Sequence, residues 1–273
     1  METTTKLSKK IAESSILIAF SVILFFIALV KLPYGGEITL ASMFPIVIIA
    51  YRHGTGFGLL SGLVYGIICQ LLSISVLSFV TGWVSVVAVI VLDYLLAFSL
   101  IGLAGLVRKI KNQTKAMIIG TLIGIFARYI CHVISGSTVW AGLSIPTGQA
   151  FLYSIIYNAT YILPETIVTL IVCIYISTFF DFGSEKISVR KNEFKNKLPV
   201  FVGTTLAAGY LIFVLLQIFA LLQNAETGEF DFTGIFNVNW ILIGIVTISV
   251  IVAYAIFFVI YKCVTSQKGK TNE

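Results

Sequence analysis

The sequence predicts an all-α polytopic membrane protein, and three observations carry that reading. Of the 273 residues 58% are hydrophobic and 11% charged, whereas soluble domains run near half apolar and roughly a quarter charged. The mean hydropathy is +1.03. The apolar residues fall in runs close to the ~20 residues that cross a hydrocarbon core as a helix. The same figures exclude a disordered chain, which needs low hydrophobicity and high charge. The formal net charge of +6 would by itself suit nucleic acid or acidic lipid.

Turn signals divide the apolar runs into eight candidate spans, at about 11–31, 39–51, 54–72, 83–107, 115–137, 151–180, 198–222 and 238–263. The first follows Lys6, Lys9 and Lys10. It is too long for a signal-peptide core and has no A-x-A site after it, so it reads as a retained helix. The second and third are short and joined through Arg52-His53-Gly54. Gly54, Gly58, Gly62 and Gly66 recur every four residues, which lines one helix face for close packing or for a moving interface. Pro33, Pro146 and Pro199 sit in loops or at helix starts, where a missing N–H costs nothing. Pro45 and Pro164 lie inside apolar runs and predict kinks. The four cysteines have no metal-like spacing and read as small core residues.

Basic residues orient the bundle. With these spans, all but Lys31 and Arg128 of the 18 Lys and Arg fall on one side, while Glu37, Glu226, Glu229 and Asp231 fall on the other. The positive-inside rule then makes both termini cytoplasmic at the plasma membrane, and the +6 becomes a topology signal with no nucleic acid implied. The charged and polar stretch 181–197 separates a six-helix unit, 1–180, from a two-helix hairpin and tail, 198–273. The chain has no internal repeat of the kind found in many carriers.

Charges at bilayer depth are costly, by roughly 2.5–3.5 kcal/mol, and each is a functional candidate by default. Asp93 lies on the fourth span, followed by Tyr94. Arg128 lies on the fifth, with His132 one turn on along the same face, and Glu165 follows Pro164 on the sixth. Each has a plainer reading: a mutual Asp93–Arg128 ion pair, an interhelical hydrogen bond for His132, and a packing or neutral protonated role for Glu165. Trp140, Tyr153, Tyr157, Asn158 and Tyr161 collect near the same helix ends. An interfacial aromatic belt explains part of this but requires neither Asn158 nor Asp93. A carboxylate, aromatic faces and an amide suit a small planar cation or zwitterion. No Walker A sequence occurs, since Gly54-Thr55-Gly56-Phe57-Gly58 lacks the lysine, so the chain has no ATP site of that kind. No H-E-x-x-H or G-x-S-x-G occurs either, and Ser135 and Ser137 near His132 make a weak case for an enzyme.

The segments Leu92-Asp93-Tyr94, Arg128-Tyr129-Ile130-Cys131-His132-Val133-Ile134-Ser135-Gly136 with Trp140, and Tyr153-Ser154-Ile155-Ile156-Tyr157-Asn158-Ala159-Thr160-Tyr161 resemble the thiamine-specific S component of energy-coupling factor (ECF) transporters, the ThiT or YuaJ family. Pro33-Tyr34-Gly35-Gly36-Glu37, Pro45 and Arg52-His53-Gly54 are also similar, and the likeness covers about residues 8–180. It implies a six-helix S-component bundle, extended here by two additional transmembrane helices, that binds thiamine near the outer surface without any cofactor. By the resemblance, Asp93 meets the thiazolium charge and the aminopyrimidine, and Tyr94 meets the hydroxyethyl end. Arg128 takes a basic position, His132 and Trp140 take ring-stacking positions, and Tyr153 with Asn158 bind the pyrimidine. Some members carry a Trp in the first loop, where this chain has Tyr34 and Glu37 as the candidates for a lid contact. The resemblance also implies partners, a membrane T component and two ATPase subunits, docked on a small-residue face of the first helix marked here by Ser15 and Ala19. The hairpin 198–263 is the departure from the family.

Overall fold

The computed structural model describes residues 2–142, 146–190, 197–222 and 232–270. Lys191, Lys195, Glu226, Glu229 and Asp231, used above for orientation, lie outside the described residues. Cα packing divides the chain into two units, Met1–Ser177 with Asp181–Ser188 and Thr178–Phe180 with Val189–Glu273.

The first unit begins with helix α1 (Glu2–Phe25) and a hairpin of two short antiparallel strands, β1 (Ala28–Lys31) and β2 (Glu37–Thr39). The pairing sets Ala28 against Thr39, Val30 against Ile38 and Lys31 against Glu37, with a bulge between Ala28 and Val30. Helices α2 (Phe44–His53), α3 (Thr55–Leu72), α4 (Trp83–Val107), α5 (Gln113–Gly142) and α6 (Thr147–Phe179) follow. The second unit holds α7 (Leu198–Phe219) and α8 (Trp240–Lys270), joined by contacts such as the 2.6 Å hydrogen bond between the hydroxyls of Tyr210 and Thr247.

Among the described residues six helices, α3 to α8, are long and apolar enough to cross a membrane, which makes the chain an all-α polytopic membrane protein, and α1 and α2 occupy the first two apolar runs read from the sequence. The 39–51 run is helical only in its second part. Its first residues form the end of β2 and a turn, and α2 has 10 residues, about 15 Å of helix at 1.5 Å per residue. Phe44 to Ala50 are all buried, so α2 is a core helix inside the bundle. Helix α1 carries Lys9, Lys10 and Glu13 in its first half, which leaves a short uncharged stretch before it ends at Phe25. Pro45 stands in the first turn of α2 and kinks nothing, whereas Pro164 lies within α6.

The glycine series forms a packing seam. A Cβ on Gly62 would lie 2.3 Å from the Phe98 carbonyl oxygen, and one on Gly66 would lie 2.3 Å from that of Tyr94. Helix α3 therefore meets α4 backbone to backbone, as small-residue faces allow. Gly54 is not on this face; it turns the chain between α2 and α3 at φ 95°. Helix α4 is irregular, and its segment Val89–Leu96, which carries Asp93 and Tyr94, is π-helical. Such turns widen the helix by one residue and recur at functional sites.

Gly62→Ala should lower the melting temperature of the detergent-solubilised protein, at the ~1–3 kcal/mol scale of overpacking. Gly56→Ala, where nothing lies within 4 Å, should leave it unchanged or higher because alanine favours helix.

Candidate functional site

Helices α5 and α6 each carry ionisable groups that an apolar setting would penalise, and the fold joins these groups into one connected set. Arg128 is buried. Its Nη1 donates to Glu165 Oε2 at 2.7 Å and to Met43 Sδ at 2.9 Å. Its Nε donates to His132 Nε2 at 3.1 Å, and its guanidinium lies 4.8 Å from the centroid of the Phe98 ring. Glu165 is 1% exposed, and its second oxygen accepts from Thr39 Oγ1 at 2.6 Å. One ion pair thus ties α5 to α6, to the end of β2 and to the approach to α2.

The pairing fixes the histidine. A guanidinium can only donate, so His132 Nε2 is its unprotonated nitrogen and the ring proton sits on Nδ1, an assignment that rests on the hydrogen-bond network. That Nδ1 lies 2.9 Å from Asp93 Oδ1. Buried Oδ1 has no hydrogen-bond partner among the described residues, while Oδ2 accepts from Ser135 Oγ at 3.0 Å. The Asp93–Arg128 pair considered from the sequence therefore does not form. Arg128 takes Glu165, and Asp93 faces a neutral imidazole. Glu165 is likewise the counter-ion of a buried arginine, not a packing or neutral acid.

These groups line a cavity that, with the open solvent at its mouth, takes in about 960 Å³. Tyr34 to Glu37 and Thr39 form one wall, Val76 and Phe79 a second, and Asp93 with Tyr94 a third. Helices α5 and α6 close it with Arg128, His132, Gly136, Trp140, Tyr157, Asn158, Tyr161 and Glu165. Trp140 is the aromatic hub, edge-on to Tyr34 at 4.9 Å, Tyr153 at 4.5 Å and Tyr157 at 5.5 Å. Asn158 Nδ2 donates to the carbonyl of Ser154 at 2.9 Å and to that of His132 at 3.2 Å. Its Oδ1 accepts from Tyr161 at 2.6 Å and retains a second lone pair. The α5–α6 approach here is close enough that a Cβ on Gly136 would lie 2.4 Å from Ser154 Oγ. Glu37 sits 3.7 Å from Lys31; burial pushes its carboxyl above the usual glutamate range, and the lysine pulls it back.

Of the residues singled out from the sequence, Asp93, Tyr94, Arg128, His132, Trp140 and Asn158 converge on this cavity. Tyr153 stands behind Trp140 and is not among the lining residues. Ser15 and Ala19 are exposed on α1. The contributions of Thr39, Met43 and Phe98 carried no sequence signal. That of Tyr157 and Tyr161 did, since with Tyr153 they recur every four residues along one face of α6.

A helical membrane bundle enclosing a polar, aromatic-walled cavity under a hairpin belongs to the class of solute-binding membrane proteins. Residues 11–181 match the family described as Thiamine transporter protein (Thia_YuaJ), and the chain belongs to that family, whose members are transporters and not enzymes. It is 32% identical over 175 residues to the Thiamine transporter ThiT of Bacillus subtilis, covering 60% of this chain and 87% of that one. The Thiamine transporter ThiT of Lacticaseibacillus paracasei is 30% identical over 183 residues, covering 59% and 83%. A solved ThiT structure from Listeria monocytogenes is 28% identical, with a TM-score of 0.49 over 61% of this chain and 92% of that one.

Arg128→Met or Glu165→Met alone should destabilise the detergent-solubilised protein by about 3–5 kcal/mol, because each strands a buried charge. The double variant should recover most of the loss, which a comparison of unfolding midpoints would read directly.

Proposed function

We propose that the chain binds thiamine in this cavity and acts as the substrate-specific subunit of an ECF-type uptake system, energised by a membrane T component and two ATPase subunits. The observation that carries the reading is a charge balance. Among the described residues of the cavity wall, Arg128 offsets Glu165, Lys31 lies against Glu37, and His132 is neutral. Asp93 is then the carboxylate without a cationic partner, set within an aromatic cage. That arrangement suits one monocationic aromatic solute, through Coulomb attraction and ring faces together. Thiamine has this chemistry, and membership in the thiamine transporter family supports it independently.

In this reading Asp93 meets the thiazolium charge and, through Oδ1, a donor of the aminopyrimidine. Tyr94 meets the hydroxyethyl end, His132 and Trp140 pack on the rings, and Asn158 Oδ1 accepts from the pyrimidine amino group. Arg128 takes its basic position at the cavity wall, with Nε and Nη1 engaged by His132, Glu165 and Met43 and Nη2 left to meet a solute. Tyr153 acts by supporting Trp140. No chemistry is done on the vitamin. The sequence has no Walker A lysine, so ATP is used by the partner subunits, which dock on the α1 face bearing Ser15 and Ala19. The bias of basic residues supports a topology with both termini in the cytoplasm and the cavity toward the outside. Residues 1–180 form the substrate-binding part, 181–197 a cytoplasmic linker, and 198–273 an additional hairpin and tail.

Calorimetry on the purified chain should show saturable binding of thiamine at one site. Asp93→Asn should weaken thiamine roughly ten- to a hundredfold, the scale of a lost hydrogen bond to a charged group. Its effect on the neutral hydroxymethylpyrimidine fragment should be much smaller. Equal losses would remove the charge-pairing role, and absence of saturable thiamine binding would remove the assignment.

A further inference from the structure

The tip of the β1–β2 hairpin is fastened to α6 through the hydroxyl of Tyr157. Tyr157, 5% exposed, donates to the carbonyl of Pro33 and accepts from the amide of Gly36 at 3.1 Å. Both tethered residues belong to one closed tip, because the amide of Leu32 donates to the Gly36 carbonyl at 2.7 Å. The second attachment, from Glu165 to Thr39, holds the base of β2 and not its tip.

Two further features of the tip show that it is held in place. A Cβ on Gly36 would stand 2.9 Å from Tyr157 Oη and 2.9 Å from Tyr161 Cδ1, so glycine is what permits the backbone to reach the hydroxyl. Tyr34 adopts φ 65°, a left-handed conformation that bulky L residues rarely take. Such a residue persists when its surroundings over-determine it. Its ring is seated between Trp140 at 4.9 Å and Phe79 at 5.7 Å, across the cavity from wall to wall.

We propose that Tyr157 is a positioning residue whose hydroxyl bridges Pro33 and Gly36, holds the hairpin tip over the cavity, and thereby sets how long a bound solute stays. This rests on the solute-binding reading above. The tip is the tethered wall of the cavity, with α3 to α6 packed into the bundle around it. Opening it breaks two hydrogen bonds to one buried oxygen, and the loss of both makes the open state unfavourable. The tether acts on departure more than on arrival, because most changes in affinity at a fixed site appear in the dissociation rate.

The test pairs Tyr157→Phe, which keeps the ring contacts with Trp140 and Tyr161, with Gly36→Ala, which pushes the tip off the hydroxyl. Each should speed thiamine dissociation about tenfold and change association less than twofold, since the two bonds are worth at least that factor together. The double variant should remain near tenfold, because a single latch can be broken only once. In the thiamine-free protein, hydrogen exchange across residues 33–39 should rise about tenfold in Tyr157→Phe and stay unchanged in α3. Unchanged exchange at the tip, or losses that multiply in the double variant as a direct ligand contact would give, overturns the latch. The exchange measurement needs no ligand, so it decides the latch even if thiamine proves not to bind. If Tyr157→Phe does not fold, Gly36→Ala carries the same exchange and dissociation readouts.

Discussion

A buried arginine must have a counter-ion, and the site is organised by how this chain supplies one. The desolvation penalty of an unpaired guanidinium in a low-dielectric interior is several kcal/mol. Arg128 therefore dictates where Glu165 stands, 2.7 Å away on the neighbouring helix. Glu165 in turn captures Thr39 and so fixes the root of the hairpin. The Nε donor of the guanidinium sets which nitrogen of His132 carries its proton, and that determines what Asp93 faces. A contact between two helices thereby propagates to the hairpin, the imidazole and the carboxylate of Asp93. The pair contributes little net charge to the cavity. Its contribution is arrangement.

How far the sequence discloses this follows from what each residue costs. Asp93, Arg128, His132 and Asn158 stand out because polar groups in apolar runs are expensive and rarely idle. Their partnerships do not stand out, since partner choice depends on how each helix is rotated. The π-helical stretch Val89–Leu96 shifts that rotation at Asp93, and the change leaves no mark on composition. An Asp93–Arg128 pair was equally compatible with the spacing. Glu165 reads as an isolated acid after Pro164 until the fold sets it beside Arg128.

Helix α2 shows the same limit at the level of fold. A run such as Phe44-Pro45-Ile46-Val47-Ile48-Ile49-Ala50 has one hydropathy whether lipid or protein surrounds it. Burial tells them apart, and Phe44 to Ala50 of the ten-residue helix lie in the interior. The glycine series was more transparent, because only glycine lets Gly62 and Gly66 meet carbonyl oxygens of α4. The hairpin was the least transparent element. Tyr34 and Tyr157 are visible as aromatic residues, but the contacts through which they and Gly36 matter span more than 100 positions of sequence, and nothing local announces those pairings. The aromatic cage is thus visible in the sequence as residues, whereas the closure that makes it a cage belongs to the fold.

A structure determined with thiamine bound addresses the account most directly. The account predicts the vitamin inside the cavity, its thiazolium nearer Asp93 than Arg128, with the Arg128–Glu165 pair intact and the hairpin tip seated on Tyr157. Thiamine lodged elsewhere, or Arg128 turned onto the ligand with Glu165 left unpaired, would contradict it.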